Sequence, residues 1–440
     1  MTLMSLVESL RTPAAFLFVL GVLVFVHELG HFLVARWHGV RVITFSLGFG
    51  PKLVKVQRGD TEYCISAVPL GGYVKLAGET VEEDRTGAPD EFLSKSKWIR
   101  FQVYLAGPTM NLLLAWLVLA GVLLRGADVP LSDTSPAIIG GIEQGSPAEK
   151  AGLQVGDRIV SVAGRDVPTW DALNIEVVTK ANRELAIVVD RHGQRLDLRL
   201  TPSAVGKFEI GTIGIRPVLR PQVFMVTPGG PADRAGVKRG DVVLAIDHQP
   251  GLDHDGIIDR LRKSSGKPLT FTLERDGQPV EATITPEESG GVGVIGIGLN
   301  PYEFRRVDPT LVQAFVMSAE QNWDSTVLIG RTLKGLFKRE TPVKQLMGPI
   351  SIATLTGTAA QLGWLYLFQL MSNISLNLGL LNLLPVPVLD GGHIAILGVE
   401  GLARRDLSVR VKERILMVGA ALIILLMVTV IYNDILRLFK

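Results

Sequence analysis

Four long apolar stretches dominate the pattern of hydrophobic and polar positions along the chain of 440 residues. A helix needs roughly 20 apolar residues to cross about 30 Å of hydrocarbon, and each stretch is long enough to do so. The mean hydropathy of +0.31 also favours a membrane protein. The pattern therefore predicts four transmembrane helices, at 1–37, 101–125, 360–393 and 415–435.

The residues between the second and third apolar stretches have the pattern of a soluble region with an internal repeat. Short β-branched runs alternate there with glycine and aspartate turns. The run GSPAEKAGLQVGDRIVSV at 145–162 matches GGPADRAGVKRGDVVLAI at 229–246, and each copy predicts a short helix, a Gly-Asp turn and an apolar strand. The two copies predict two β+α domains, at 126–220 and 221–305.

This repeated helix, turn and strand resembles PDZ domains of the bacterial periplasmic-protease type. Such domains bind extended peptides, which add a strand to an exposed sheet edge beside the helix. The resemblance implies peptide ligands for both domains, and a pair of spacer domains without ligands is the alternative. The expected fold class is a multi-pass α-helical membrane protein with four transmembrane helices and two inserted PDZ-like β+α domains.

Three further segments connect these parts. Residues 38–100 contain a glycine-rich run at 45–76 that alternates like the strands of a hairpin, which is either an ordinary cytoplasmic hairpin or one that dips into the membrane. Residues 306–345 carry apolar residues at helical spacing and predict an amphipathic helical segment. That segment lies either on the membrane surface or against the second PDZ-like domain. Residues 394–414 form a basic cytoplasmic loop.

Charge and cysteine content exclude some classes of function. The net charge of +2 leaves no strong basic field, so nucleic acid is not an expected partner. The single cysteine, Cys64, excludes an intramolecular disulfide and a multi-cysteine metal cluster. Basic residues collect in the loops between the first and second and between the third and fourth apolar stretches. The positive-inside rule places both loops in the cytoplasm and the PDZ-like domains on the other side.

The first apolar stretch contains three polar residues that hydrocarbon penalises. They form HELGH within FLFVLGVLVFVHELGHFLVARW, at 16–37. His27 and His31 are four residues apart, so on a helix both imidazoles face one side and can bind one metal ion. Glu28 lies beside them as a carboxylate that can accept a proton from water. Hydrogen bonding of the histidines to a neighbouring helix is the alternative, but ionisable groups within a span indicate function by default.

A third metal ligand is expected from another apolar stretch, because catalytic zinc usually takes three protein ligands and leaves one position open. The run NLLPVPVLDGGH at 382–393 offers Asp390. Pro385 and Pro387 interrupt the helix just before it, and irregular backbone at membrane depth is tolerated where it lines a cavity. His393 is a competing ligand that ranks below the aspartate, because its side chain is expected to point elsewhere.

HELGH in the first stretch, together with NLLPVPVLDGG in a later one, resembles the site-2 protease family of intramembrane zinc metalloproteases. The resemblance covers essentially the whole chain. It implies one zinc ion (Zn2+) per chain with His27, His31 and Asp390 as ligands, and Glu28 as the catalytic base. It further implies that Asn382, with Pro385 and Pro387, contacts the substrate or the developing oxyanion.

The same resemblance implies the substrates and the location. The expected activity is hydrolysis of peptide bonds in transmembrane segments of a single-span anti-sigma factor already shortened by another protease, and of remnant signal peptides. The location is the bacterial inner membrane, with the PDZ-like domains in the periplasm and the active site toward the cytoplasm. The family uses the hairpin edge to pair with an unwound substrate, and the PDZ-like pair as a size filter.

Two alternatives belong to other classes. One is a membrane-anchored PDZ scaffold without enzymatic activity, and the other is a metal transporter that uses histidines within the membrane. The transporter needs ionisable residues along several spans, and the second and fourth stretches contain few. In AGPTMN, at 106–111, Asn111 is expected to support the metal site from a neighbouring helix, while Gly107 is expected to serve helix packing.

Overall fold

The computed structural model describes residues 3–79, 86–130, 135–206, 208–218, 220–289, 291–300, 303–338 and 341–438. The chain divides into two compact units. A helical unit comprises Met1–Arg125, Asp308–Lys334 and Leu346–Lys440, and a β-rich unit comprises Gly126–Val307 and Gly335–Gln345.

The described helices follow one another as α1 (Leu3–Trp37), α2 (Lys97–Leu123), α3 (Pro147–Lys150), α4 (Trp170–Val178), α5 (Pro231–Arg234), α6 (His254–Arg262), α7 (Leu311–Phe337), α8 (Pro349–Leu362), α9 (Trp364–Asn382), α10 (Asp390–Leu402) and α11 (Val409–Leu438). The strands are β1 (Val42–Arg58), β2 (Thr61–Leu76), β3 (Ala127–Pro130), β4 (Ile139–Ile142), β5 (Arg158–Val162), β6 (Arg165–Asp166), β7 (Leu185–Arg191), β8 (Gln194–Leu200), β9 (Ser203–Val205), β10 (Ile210–Thr212), β11 (Ile215–Pro217), β12 (Gln222–Val226), β13 (Val242–Ile246), β14 (Gln249–Pro250), β15 (Leu269–Arg275), β16 (Gln278–Ile284), β17 (Glu287–Ser289), β18 (Val292–Val294), β19 (Ile297–Asn300) and β20 (Phe304–Val307).

Three of the described helices are long and apolar enough to cross a membrane. They contain the candidate spans Arg11–Trp37, Lys97–Leu123 and Val409–Arg437. In the third predicted stretch, the longest helix is α9, whose 19 residues include several amide side chains that lower its hydropathy. The three spans agree with a helical membrane protein, and a fourth remains a prediction.

Helix α2 lies between α1 and α9, and small residues bring the three helices close together. A Cβ built on Gly30 of α1 would lie 2.5 Å from the carbonyl oxygen of Ala106 in α2. On the other side, the hydroxyls of Ser372 and Ser375 donate to carbonyl oxygens of α2 at 2.8 Å each. Close packing and interhelical hydrogen bonds of this kind hold helices together where no water drives their association.

Strands β1 and β2 form one long antiparallel hairpin after α1. Its base packs into a cluster of buried residues that includes Val42, Leu76 and Phe92. Farther along, apolar side chains are exposed, among them Leu53, Val54 and Ile65. The hairpin is therefore anchored at its base and presents an apolar outer part.

The β-rich unit contains two lobes that repeat the same elements 84 positions apart. Helix α4 corresponds to α6, and strands β5, β7 and β8 of one sheet correspond to β13, β15 and β16 of the other. Each lobe has its own core, in which Ile159 and Ile187 of the first correspond to Val243 and Phe271 of the second. The repeat in the sequence is thus a repeat of structure.

Helix α7 forms most of the predicted amphipathic segment and packs on α2. The indole nitrogen of Trp116 donates to the carbonyl oxygen of Phe315 at 2.9 Å, and the hydroxyl of Ser318 donates to the carbonyl oxygen of Trp116 at 2.8 Å. Within the helical unit, therefore, this helix contacts a candidate span directly.

Candidate metal centre

The side chains of His27, His31 and Asp390 converge on one point. The two histidines lie one turn apart on α1, with their Nε2 atoms separated by 3.2 Å. Asp390 is the first residue of α10, and its carboxylate oxygens lie 3.2 Å from His27 Nε2 and 3.5 Å from His31 Nε2. Helix periodicity places the first two ligand candidates together, and the fold brings the third to them.

The segment between α9 and α10 delivers Asp390 to the histidines. A Cβ on Gly391 would lie 2.3 Å from the carbonyl oxygen of Leu383, and one on Gly392 would lie 2.3 Å from that of Val386, so only glycine fits at either position. Val388 has a φ of +86°, which is strained for a β-branched residue. Strained backbone concentrates at functional sites, where the surrounding structure fixes it.

Neighbouring groups orient both imidazoles. His31 Nδ1 lies 2.7 Å from the carbonyl oxygen of Val103 and donates to it, so its Nε2 lone pair points toward Asp390. His27 Nδ1 lies 3.1 Å from the amide nitrogen of Asn111, whose own Oδ1 is buried and has no partner among the residues that the structure describes. With the Asn111 amide rotated by 180°, its Oδ1 accepts a hydrogen bond from His27 Nδ1–H. The buried oxygen is then satisfied, and His27 Nε2 is free to act as a ligand.

These residues fit a zinc ion. Two ligand atoms at about 2.0–2.2 Å from a tetrahedral zinc lie about 3.3–3.6 Å apart, close to the separations found here. Two imidazoles and a carboxylate are also a ligand set that zinc accepts. Gly107 of α2 leaves the room for the pair, because a Cβ there would lie 2.2 Å from His31 Nε2. Its backbone therefore forms one wall of the candidate metal site.

A cavity of about 270 Å³ contains the candidate ligands, Glu28 and Asn382. Val74 in β2 lines this cavity together with Glu28. Val388 and Tyr104 also line the cavity. Sequence reasoning did not single out Val74, Val388 or Tyr104, because their proximity to the site depends on how the hairpin, α2 and the loop pack together.

The two prolines lie outside the cavity lining, and His393 lines the cavity without joining the candidate ligands. Neither Pro385 nor Pro387 is among the residues that line the cavity. Pro387 instead packs against α11, where a Cβ on Gly419 would lie 2.3 Å from the proline Cβ. The ring of His393 stacks on that of Tyr104, with centroids 4.7 Å apart, and His393 is outside the group of converging ligand atoms.

Comparisons with known proteins place the chain in a family. The model of Peptidase family M50 matches residues 15–426. A protein of Neisseria meningitidis, provisionally named a zinc metalloprotease, is 36% identical over 98% of this chain and 100% of its own length. The regulator of sigma-E protease RseP of Escherichia coli is 34% identical over 97% and 98% of the two chains. A PDZ domain of an SdrC-like protein from Listeria monocytogenes, a solved structure, is 18% identical with a TM-score of 0.18, over 19% of this chain and 88% of its own.

The family match spans nearly the whole chain, and both relatives exceed 30% identity over 98–100% of their own lengths. The chain therefore belongs to peptidase family M50, the site-2 protease family of intramembrane metalloproteases.

Proposed function

We propose that the protein hydrolyses peptide bonds within or beside transmembrane segments, with one zinc ion per chain on His27, His31 and Asp390. The observation that carries this proposal is the convergence of three ligand atoms, all within 4.8 Å of one another, two of them on a helix long and apolar enough to span a membrane. Burial of such groups in a span is costly unless they pair or bind a metal.

Glu28, Asn382 and the two loop prolines have separate roles in the proposed reaction. Zinc, when bound, supplies a Lewis acid that polarises a carbonyl and makes water more acidic. Glu28 accepts a proton from the attacking water and later returns it to the leaving amine. Val74 lines the cavity beside Glu28 and helps to enclose it. Asn382, at the end of α9, donates its amide N–H to the developing oxyanion, and Pro385 and Pro387 shape the loop on which substrate rests.

The substrate enters as an extended strand in this proposal. A transmembrane helix hides its carbonyls in hydrogen bonds, so it must unwind before attack. The β1–β2 hairpin supplies an edge on which the unwound peptide can add a strand. Its exposed apolar residues, such as Leu53 and Val54, suit a segment that dips into the membrane. We therefore assign the hairpin as the element that presents the substrate to Glu28.

The natural substrates proposed are a single-span protein like an anti-sigma factor, already shortened by another protease, and remnant signal peptides. A relative bears the name regulator of sigma-E protease, which supports the first class. The two lobes of the β-rich unit act as PDZ domains in the periplasm, where they bind peptides or exclude substrates with bulky external domains. The protein then lies in the bacterial inner membrane with α9 as a fourth span and the catalytic cavity toward the cytoplasm.

The proposal is tested with the purified full chain and a model single-span peptide. Chelation should stop cleavage, and one equivalent of zinc should restore it. Glu28→Gln should slow cleavage by about 10²–10⁴-fold, the range of general acid–base catalysis, while zinc still binds at one per chain. Glu281→Gln, an exposed substitution in β16, is the matched control and should leave the rate unchanged. Cleavage that survives both chelation and Glu28→Gln would contradict the proposal.

A further inference from the structure

A second cavity, of about 330 Å³, lies beside the catalytic one, between α2, α10 and α11. Tyr104 and His393, whose rings stack, line both cavities. Most of the second cavity's wall is apolar, with Leu93, Ile396 and Leu416 among its residues. Two buried charged side chains interrupt this apolar wall, and the catalytic reaction uses neither of them.

Arg100 is the first of these side chains. It is 7% exposed, and its Nε has no hydrogen-bond partner among the described residues. A guanidinium removed from water is strongly disfavoured unless an anion or several acceptors compensate for the loss. Because Arg100 lines the cavity, an acceptor placed there could supply the missing hydrogen bond.

Glu400 is the second, and it is fully buried. Its Oε1 accepts from Lys412 Nζ at 2.6 Å and from the backbone N–H of Leu407 at 2.9 Å. Its Oε2 has no partner in the described part of the chain. Beside the less buried charges of Glu79, Lys412 and Glu413, the cavity therefore presents one buried cationic donor and one buried anionic acceptor without partners among the described residues. A ligand that satisfies both must carry a negative group and an N–H cation.

The position of the cavity limits the source of such a ligand. Arg100 lies in the first turn of the candidate span α2, and Val409, another lining residue, begins the candidate span α11. Glu400 lies near the end of α10. The ends of spans meet the headgroup layer of a bilayer, where phosphates and amines are concentrated.

We propose that this cavity binds the headgroup of a phospholipid that carries both a phosphate and a primary ammonium group, as in an ethanolamine lipid. The phosphate accepts from Arg100, the ammonium donates to Glu400 Oε2, and the glycerol and first methylenes pack on the apolar wall. A choline headgroup has no N–H for Glu400, and a glycerol headgroup has no positive charge. The binding site is separate from the zinc ligands, so the proposal does not depend on catalysis.

The experiment measures retention of short-chain lipids by the purified full chain with native mass spectrometry. Dihexanoyl phosphatidylethanolamine should bind about tenfold more tightly than the choline and glycerol lipids, as expected for one added charged hydrogen bond. Arg100→Gln should weaken binding of all three lipids. Glu400→Gln should remove the preference for ethanolamine over choline and leave the remaining affinity intact.

Matched controls keep the outcome specific. Arg410→Gln and Glu320→Gln remove the same charges at exposed positions of the helical unit that do not line the cavity, and they should change neither affinity nor preference. If circular dichroism shows that Arg100→Gln does not fold, Arg100→Lys is measured in its place. Because lysine keeps the positive charge, this variant should weaken lipid binding by less than removal of the charge. Equal retention of the three lipids, or an ethanolamine preference that survives Glu400→Gln, would overturn the proposal. If phosphoethanolamine without acyl chains binds as tightly as dihexanoyl phosphatidylethanolamine, the assignment of the ligand to a lipid is overturned.

Discussion

Asn111 of α2 reaches Nδ1 of His27 on α1 at 3.1 Å, from a position where its side chain is completely buried. The contact links the first candidate span to the second at the candidate metal site. A histidine that ligates through Nε2 is usually fixed by a hydrogen bond at Nδ1, which sets both its tautomer and its ring orientation. Asn111 is therefore a positioning residue for His27.

Removal of this contact should weaken zinc binding without removing a ligand. We expect Asn111→Ala to lower the affinity for zinc by about 10–100-fold, the range for partners of ligating histidines. Competition with a chelator of known affinity measures the change. Asn377→Ala, which removes an exposed amide from α9, is the control. Equal zinc affinities of the two variants would refute a positioning role for Asn111.

Gly107 should tolerate no side chain. A Cβ at this position would lie 2.2 Å from His31 Nε2 and 2.9 Å from His27 Cε1, inside the candidate zinc site. Gly107→Ala is expected to abolish zinc binding and peptide cleavage, as shown by metal analysis and the single-span peptide assay. Gly121→Ala on the same helix, where nothing lies within 4 Å, should leave both unchanged and stabilise α2 by up to about 1 kcal/mol.

If Gly107→Ala binds a normal amount of zinc, the backbone of α2 lies farther from the two histidines than it does in this structure. The sequence predicted helix packing as the main role of this glycine. The structure gives it a more specific position, because the atoms nearest to it belong to the two histidines.

The ion pair between Asp157 and Arg191 should make the first lobe of the β-rich unit sensitive to acid. Asp157 is 1% exposed and accepts two hydrogen bonds from Arg191 at 2.7 Å each. The hydrogen bonds from Arg191 lower the pKa of Asp157 below its usual value. A carboxyl whose pKa is lowered by folding stabilises the folded state above its unfolded pKa of about 3.9, and this contribution disappears as the pH falls through the folded pKa.

Hydrogen exchange of the full chain at pH 6 and pH 3 measures the effect. The wild-type lobe should lose stability over this interval. Asp157→Asn should cost about 3 kcal/mol at pH 6, because it leaves a partly buried arginine unpaired, and it should show less dependence on pH. Glu184→Gln breaks an exposed pair with Arg199 and should change stability by less than about 0.5 kcal/mol. Identical pH dependence in wild type and Asp157→Asn would rule out this pair as the cause.

The histidine pair of the candidate metal site could be predicted from the sequence, since it depends on spacing along one helix. His27 and His31 follow from a four-residue interval, and Asp390 follows from an interrupted apolar stretch. The companions of these residues could not be found in that way. Val74 and Tyr104 reach the cavity through the packing of a strand and a neighbouring helix, and their residue types carry no signal of chemistry.

The third apolar stretch shows a similar limit. Hydropathy averaged over 360–393 predicts one span, but the structure divides the region into the end of α8, the whole of α9, a loop and the start of α10. Gly363, with a φ of +122°, separates α8 from α9, and the prolines separate α9 from α10. A sliding average merges such pieces because it records composition and not backbone direction. The repeat at 84 positions, by contrast, was visible as matched residues and is present in every corresponding strand of the two sheets.

Asp434 should hold the start of α8 against the end of α11. It is 1% exposed, and its carboxylate accepts hydrogen bonds from the backbone N–H groups of Gly348, Ile350 and Ser351 at 3.0–3.2 Å. Arg437 donates to the same carboxylate at 3.0 Å. The first N–H groups of a helix have no partner within the helix, so a carboxylate at this end satisfies them and favours the helix dipole.

We expect Asp434→Ala to leave these donors and Arg437 unsatisfied and to destabilise the contact by about 1–3 kcal/mol. Amide exchange at 350–352 should accelerate by about 10–100-fold, with a smaller effect in Asp434→Asn, which retains one acceptor. Thr429→Ala removes a hydroxyl that bonds only within α11 and should not change exchange in α8. Exchange at 350–352 that is unchanged in Asp434→Ala would mean that α8 is held by its apolar contacts alone.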